Sequence, residues 1–158
     1  MQRFFRALKT NLYAIIIWYK KRRKDVSMKE LETGLKNSGE LTVTEEMTAD
    51  AWGSGGQPVF ATPAMIALME NTAWKSVEPF MKEGQTTVGT RIDVKHLSAS
   101  PLGAHITCES ELIEIDRRRL VFKVSASDDA GPIGGGTHER FIIDTEKFMA
   151  ATEAKLDK

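Results

Sequence analysis

The chain is poor in the residues that build disulfides and metal sites. Its 158 residues include one cysteine, Cys108, and three histidines, none of them spaced as H-x-H or H-x-x-x-H. A lone cysteine excludes an intramolecular disulfide, and so few potential ligands argue against a metal site. We therefore expect a reducing, cytoplasmic location, and we expect no metal and no other cofactor.

Long apolar runs and an excess of one charge are also missing. The longest apolar run near the amino terminus, residues 12–19, has eight residues, whereas a spanning helix needs about 20. The 22 basic and 22 acidic side chains cancel, but eight of the basic ones fall within residues 1–24, which hold no acidic residue. The remainder carries 14 basic and 22 acidic side chains, and this acidic body argues against a nucleic-acid partner.

The charge split predicts a boundary between a basic leader, residues 1–28, and a folded domain, residues 29–158. Trp18 and Tyr19 beside the sequence KKRRK suit a weak contact with a membrane surface. The equally weighted alternative is an extension that is not part of the working protein, with Met28 as an internal start. Both interpretations stay open.

Apolar periodicity in the domain predicts one long helix and several strands. ELTVTEE, residues 40–46, is typical of a strand, and the glycine-rich residues 48–57 are typical of a loop. Thr62 as N-cap and Pro63 at the first helical position begin a helix that is predicted to reach Lys82. A meander of antiparallel strands and a helical tail are predicted to follow, at residues 88–96, 104–115, 120–127, 133–144 and 146–158.

One long helix and an antiparallel sheet define an α+β fold in which the helix buries its apolar stripe against the sheet. On the strand at residues 88–96, alternation places five side chains on one face: Val88, Thr90, Ile92, Val94 and His96. Such a sheet leaves strand edges and apolar area exposed in a monomer. Pairing of identical edges would cover both, so we expect a homodimer or a higher homo-oligomer.

Three polar residues are candidates for a catalytic role. Glu70 interrupts the apolar stripe of the helix, so it is either a partly exposed helical glutamate or a desolvated carboxylate suited to act as base or nucleophile. His96 ends an apolar strand face and is either a structural histidine or a proton carrier. Thr62 joins a glycine-rich loop to a helix N-terminus, where free N–H groups favour an oxyanion, although a simple cap is the commoner use.

Other polar residues carry weaker signals. Arg117–Arg119 form a basic turn that is either a solvated tip or a phosphate contact for a CoA tail, and Arg91 and Lys95 are further sources of positive charge. His138 and Arg140 point to one face of the last strand, where pairing with carboxylates is the simpler account.

Three stretches together resemble a known family. They are VFATPAMIALME at residues 59–70, GTRIDVKHLSASPLG at residues 89–103 and GGGTHERFIIDTEKF at residues 134–148. Their order and spacing are similar to those of hot-dog-fold thioesterases of the fluoroacetyl-CoA thioesterase type. The resemblance covers roughly residues 36–148 and leaves out the leader.

The resemblance implies a hot-dog fold, in which one long central helix is wrapped by a curved antiparallel β-sheet. It also implies a homodimer that hydrolyses a short or medium, or aryl, acyl-CoA thioester to a free acid and CoA. Thr62, Glu70 and His96 match the family's catalytic positions, and Gly89, Phe60 and Arg140 match its substrate-binding positions.

One departure from the family limits what the resemblance implies about the substrate, and two other functions are alternatives to hydrolysis. Where the namesake has aromatic residues in a lid, this chain has glycines, at Gly53 and Gly56, which argues against fluoroacetyl-CoA as the natural substrate. The alternative function is a non-catalytic acyl-CoA-binding hot-dog module. Enoyl-CoA hydration is less well supported, because its expected Asp/His pair is missing from the sequence.

Overall fold

The computed structural model describes residues 30–156 of the chain. The predicted leader, its membrane contact and the boundary at residue 28 therefore lie outside the described residues. No helix in the described part is long and apolar enough to cross a membrane. The elements are β1 (Lys36–Thr42), a 3₁₀ turn (Glu45–Met47), α1 (Thr62–Val77), a second 3₁₀ turn (Glu78–Phe80), β2 (Gln85–His96), β3 (His105–Asp116), β4 (Arg119–Asp128), β5 (Gly131–Asp144) and α2 (Thr145–Glu153).

The five strands form one antiparallel sheet in the order β1-β3-β4-β5-β2. The predicted meander is therefore right for β3, β4 and β5 and wrong for β2, which pairs with β5 at the far edge. Strand β1 already occupies the edge position beside β3, so residues 97–104 carry the chain from β2 at one edge of the sheet to β3, the strand next to the other edge. On its outer side, β2 has no neighbouring strand among residues 30–156.

Two predicted boundaries are corrected. The first strand is Lys36–Thr42 rather than residues 40–46, because its partner β3 begins at His105, opposite Thr42, and Val43 bonds to the turn at Gly103 and Ala104 instead. The long helix ends at Val77 rather than Lys82, and a 3₁₀ turn follows. Pro79 accounts for this ending, since proline cannot donate a helical hydrogen bond and its ring crowds the preceding turn. The tail is helical as predicted, over Thr145–Glu153.

A β-bulge in β2 corrects the predicted strand face. Gly89 pairs with Arg140 and Arg91 pairs with Glu139, so Thr90 between them has no partner. One extra residue reverses the alternation, and Val88 and Thr90 therefore do not share a face with the later residues of the strand. The side facing α1 holds Thr87 and Gly89 before the bulge, and Ile92, Val94 and His96 after it.

Helix α1 packs its buried stripe against the sheet and fixes the position of its own N-terminus. The stripe consists of Ala64, Met65, Met69, Thr72, Ala73, Ser76 and Val77. Under the first turn, a Cβ on Gly134 would lie 2.9 Å from Met65 Sδ and 2.5 Å from the Lys95 carbonyl oxygen. Only glycine fits there, and its absence of a side chain lets β5 pass close beneath the helix beside the end of β2.

Candidate active site

Thr62 and His96 meet at the N-terminus of α1. Thr62 is the first helical residue, and the N-cap is Ala61, which makes no side-chain cap hydrogen bond. The prediction of Thr62 as an N-cap is therefore wrong. Its hydroxyl instead lies 2.9 Å from Nδ1 of His96, the last residue of β2. The hydroxyl is free to pair with the imidazole because the helix does not use it as a cap.

The other ring nitrogen of His96 is buried without a partner. Nε2 has no hydrogen-bond partner among residues 30–156. The ring of Phe60 packs edge-on against the imidazole, with centroids 6.4 Å apart and planes at 76°. Phe60 is itself only 1% exposed, so it fixes the orientation of the imidazole. A buried, unpaired nitrogen is costly unless a ligand or water completes it, which marks this position as a functional site.

A cavity of about 270 Å³ opens onto this pair. The residues around it are mostly small, and it is bordered by the glycine-rich loop at residues 49–57. Gly53 has φ of 64°, and a Cβ at Gly53 or Gly56 would meet nothing within 4 Å. The loop therefore leaves the entrance wide. The cavity is lined by Ala49, Ser54, Val59, Phe60, Thr62, His96, Leu97, Ser98 and Ala99.

The first turn of α1 supplies hydrogen-bond donors beside this cavity. The Met65 N–H donates to the Ala61 carbonyl at 3.0 Å, which begins the helical ladder. Pro63 has no N–H, so the amides of Thr62 and Ala64 are the two donors that the helical ladder leaves unused. Together with the helix dipole, these amides favour an oxyanion at this end of the helix.

Glu70 lies away from this pair within one chain. It follows Thr62 by eight residues, about 12 Å along the helix axis. Its side chain is 42% exposed, at the edge of the buried stripe rather than within it. A single chain therefore does not desolvate Glu70 as the catalytic interpretation of the sequence expected. The three predicted catalytic residues form two groups, Thr62 with His96 and Glu70 apart.

The carboxylate of Glu70 rests against Gly89. A Cβ on Gly89 would lie 2.6 Å from Glu70 Oε1 and 3.2 Å from His138 Cε1. Within one chain, the predicted substrate-binding position Gly89 therefore makes room for the carboxylate. Any larger residue would push the carboxylate away.

Arg140 is buried beside this carboxylate and is held by β2. Its Nε donates to Thr87 Oγ1 at 2.9 Å and its Nη2 to the Thr87 carbonyl at 2.8 Å. Burial lowers the pKa of Arg140, and the nearby charge of Glu70 opposes that shift. Arg140, which was predicted to bind substrate, is 7% exposed and places a fixed positive charge near Glu70.

His138 is the residue whose importance the sequence did not reveal. It is fully buried, its Nδ1 lies 2.9 Å from the Arg91 carbonyl oxygen, and its Nε2 lies 3.1 Å from Arg140 Nη1 and 3.6 Å from Glu70 Oε1. Burial, aided by the charge of Arg140, lowers its pKa. The i, i+2 spacing of His138 and Arg140 indicated one shared face, but only the sheet register brings them to Gly89 and Glu70.

Most of the predicted phosphate contacts are engaged in ion pairs. Arg91 lies within 4.0 Å of Asp93 and Glu139, and Arg119 pairs with Glu114 and Glu139. These pairs partly neutralise the charge expected to attract a CoA tail. In the described part of the chain, Lys95 and Arg118 are the predicted contacts that form no ion pair; Arg118 donates from Nε to the Ile142 carbonyl and lies over the ring of Phe141.

Solved structures define the class of protein to which this fold and site belong. A solved fluoroacetyl-CoA thioesterase superposes with a TM-score of 0.77 at 33% identity, over 80% of this chain and 98% of its own. A Thermus thermophilus protein described as a thioesterase superfamily member superposes with a TM-score of 0.76 at 26% identity, over 82% and 96%. The chain therefore has the hot-dog fold of the thioesterases, which confirms the predicted fold class.

Sequence comparison narrows the class to one family. The family described as fluoroacetyl-CoA-specific thioesterase matches residues 43–146. The fluoroacetyl-CoA thioesterase of Streptantibioticus cattleyicolor is 42% identical over 97 residues, which are 61% of this chain and 70% of that protein. The chain belongs to the fluoroacetyl-CoA-specific thioesterase family and is, by class, a thioester hydrolase. The family resemblance inferred from the sequence motifs is confirmed.

Proposed function

We propose that the chain hydrolyses a short or medium, or aryl, acyl-CoA thioester to a free acid and CoA, at a site built from two copies of the chain. The observation that carries this proposal is the Thr62–His96 pair, which lines a cavity at a helix N-terminus and leaves His96 Nε2 buried without a partner among residues 30–156. A solved form of the fluoroacetyl-CoA thioesterase holds fluoroacetate and CoA, which supports a CoA thioester as the substrate here.

The two copies are needed because one chain separates Glu70 from Thr62 and His96. Strand β2 carries Gly89 near one end and His96 at the other, and its outer edge is unpaired among residues 30–156. If two β2 edges pair antiparallel about Ile92 and Asp93, Gly89 of one copy lies opposite His96 of the other. The Glu70 that rests on Gly89 then approaches the second copy's Thr62–His96 pair, and the edges are covered.

Each group then has a defined part in hydrolysis. The thioester carbonyl oxygen lies at the α1 N-terminus, where the free amides and the Thr62 hydroxyl stabilise the negative charge that develops. Glu70 of the second copy removes a proton from the attacking water, or attacks the carbonyl carbon itself and forms an acyl anhydride that water then hydrolyses to the free acid. The C–S bond breaks as the carbonyl reforms, and His96 delivers a proton to the departing CoA sulfur.

The loop at residues 49–57 affects which acyl groups fit the cavity. Its glycines and the small residues Ala49, Ser54 and Ala99 leave space beside Thr62. The one aromatic side chain of the loop, Trp52, donates from Nε1 to the Glu46 carbonyl and does not line the cavity. No aromatic ring of the loop therefore encloses a two-carbon acyl group, so longer or aromatic acyl groups suit this cavity better than fluoroacetyl.

A panel of acyl-CoA substrates assayed by CoA release tests the activity. We expect Thr62→Ala, Glu70→Gln and His96→Ala each to lose most of kcat/KM on the preferred substrate. If all three retain near wild-type hydrolysis, the mechanism is wrong. If the wild-type chain binds acyl-CoA without turning it over, the chain is a binding module instead.

Mixing two inactive variants tests the shared site. Random exchange of Glu70→Gln and His96→Ala chains makes half of the dimers mixed, and each mixed dimer has one intact site, so about a quarter of wild-type activity should return. Mixing Thr62→Ala with His96→Ala should restore nothing, because both changes affect the same half of the site. Equal results for the two mixtures would place the whole site in one chain.

A further inference from the structure

The buried histidine of β5 has a hydrogen-bond pattern that fixes its protonation. An arginine guanidinium only donates, so His138 Nε2 must accept from Arg140 Nη1 through its lone pair. A carbonyl only accepts, so Nδ1 must carry the hydrogen that is donated to Arg91. His138 is therefore neutral and in its Nδ1–H tautomer.

The bulge in β2 creates the acceptor that selects this tautomer. Thr90 is the extra residue, and its hydroxyl donates to the Glu139 carbonyl at 3.3 Å. The Arg91 carbonyl, immediately after it, points at the ring of His138. Phe122 of β4 lies beside the imidazole, with centroids 6.4 Å apart, and keeps it from turning.

The tautomer of His138 determines whether the ring can donate a hydrogen bond to Glu70. Nε2 lies 3.6 Å from Glu70 Oε1 and presents a lone pair that is already shared with Arg140, so the ring gives the carboxylate no hydrogen bond. Arg140 still supplies positive charge nearby. This oxygen of the carboxylate is therefore left without a hydrogen-bond donor from the ring.

We propose that His138 is a positioning residue: in its neutral form it holds the Arg140 guanidinium and leaves the Glu70 carboxylate free for the reaction. This rests on the proposed function, because it assumes that Glu70 acts on the thioester. A proton on Nε2 would end both effects, since the nitrogen would then repel Arg140 and donate to Glu70. Among the described residues, Glu70 of α1 and Arg140 of β5 are the charged groups that face the ring. Phe122 of β4 is neutral, and β2 presents the Arg91 carbonyl and Gly89.

Three substitutions at His138 in the full chain separate positioning from packing. His138→Gln can place its amide oxygen where Nε2 accepts from Arg140. His138→Asn can donate to the Arg91 carbonyl but does not reach Arg140. His138→Phe keeps a ring against Phe122 and removes both nitrogens.

We expect His138→Phe and His138→Asn to lose about 100-fold in kcat with KM changed less than threefold, because a misplaced carboxylate costs about this much. His138→Gln should stay within about tenfold of wild type, and the acid limb of its pH–kcat profile should move to lower pH. Equal losses in the Gln and Phe variants, or a Phe variant with wild-type kcat, would overturn the proposal. Thermal unfolding of each variant identifies any loss that is due to misfolding.

The state of the ring is also measured without turnover, which separates this inference from the proposed function. Long-range ¹H–¹⁵N spectra of the full chain should show His138 with a protonated Nδ1 and an unprotonated Nε2 at neutral pH. A protonated Nε2 would overturn the inference even if the wild-type chain hydrolyses acyl-CoA. If the spectrum is as expected but the chain hydrolyses no acyl-CoA, the proposed function is wrong and the hydrogen bond between His138 and Arg140 is still supported.

Discussion

The two ends of strand β2 differ in how completely their polar groups are satisfied. At the His96 end, the imidazole has one partner, Thr62, and a buried nitrogen that lacks a partner among residues 30–156, next to an open cavity. At the Gly89 end, His138 and Arg140 are buried and hydrogen-bonded to each other and to β2. The first end is left incomplete, as a substrate site must be, while the second is a rigid support for the charge of Glu70.

The largest expected effect comes from removing the charge of Glu70 at the Gly89 end of β2. Glu70→Gln keeps the size of the side chain but removes the nucleophile or base, so kcat should fall by about 10³-fold, within the range for general acid–base groups. Steady-state CoA release measures it. Glu78→Gln, the same change at an exposed position just beyond α1, should leave kcat unchanged. Equal effects from the two changes would remove Glu70 from the mechanism.

The next largest effect is expected at the His96 end of β2, where Thr62 and His96 are predicted to act together. His96→Ala should lower kcat by about 100-fold, because proton transfer to the leaving sulfur is lost. Adding Thr62→Ala should lower kcat/KM much less in the His96→Ala variant than in wild type, since the 2.9 Å contact between the Thr62 hydroxyl and His96 Nδ1 is already gone. A double-mutant cycle on kcat/KM gives the coupling. Strict additivity would show that the two residues act separately.

A smaller change at Gly89 should separate activity from stability. In Gly89→Ala, the new Cβ displaces the carboxylate of Glu70, which is 2.6 Å from that position. The carboxylate is the far end of a flexible side chain, and Cε1 of the buried His138 ring, 3.2 Å from the same Cβ, needs to move by only a few tenths of an ångström, so the free energy of unfolding should fall by only about 1 kcal/mol. The displaced carboxylate should still lower kcat by about tenfold or more.

Gly56→Ala is the matched control for this change. A Cβ at Gly56 meets nothing within 4 Å, so stability should be unchanged and kcat should stay within about twofold. Denaturant unfolding and CoA release on the same preparations compare the two variants. A Gly89→Ala variant with wild-type kcat would mean that the glycine is not needed to place Glu70.

The smallest expected effect is the contribution of His138 to the pH dependence of the free energy of unfolding. Burial lowers the pKa of His138 from its ordinary value of 6.5, so the unfolded chain binds this proton more readily than the folded one. The contribution of His138 to stability is therefore fully present above pH 6.5 and is lost as the pH falls through its lower folded pKa. The free energy of unfolding should decline in that window, and His138→Phe should flatten the decline. His105→Phe, at an exposed position, should leave it unchanged.

Much of the fold follows from local signals in the sequence. The period-two alternation and the turns placed β3, β4, β5 and the carboxyl-terminal helix close to their observed positions. Thr62 and Pro63 marked the beginning of α1, although as its first residues rather than as cap and first residue. Local signals succeed here because alternation, proline and glycine act within a few residues of themselves.

Other features depend on contacts that local signals do not contain. The bulge at Thr90 moved Val88 to the other face, and the placement of β2 beside β5 followed from β1 occupying the edge beside β3. The role of His138 was missed for the same reason. Its sequence neighbours suggest a structural pair, and its importance comes from Arg91 across the sheet and Glu70 on the helix.

The sequence by itself determined the family, the residue types at the site and the helix that carries Glu70, because motifs and helical spacing are properties of a linear chain. Tertiary structure decided which of these residues meet. Thr62 reaches His96 only because α1 begins where β2 ends, and Glu70 stays about 12 Å from Thr62 because a helix rises 1.5 Å per residue. That rigid spacing, fixed by backbone hydrogen bonding, is the physical reason for proposing a second copy to complete the site.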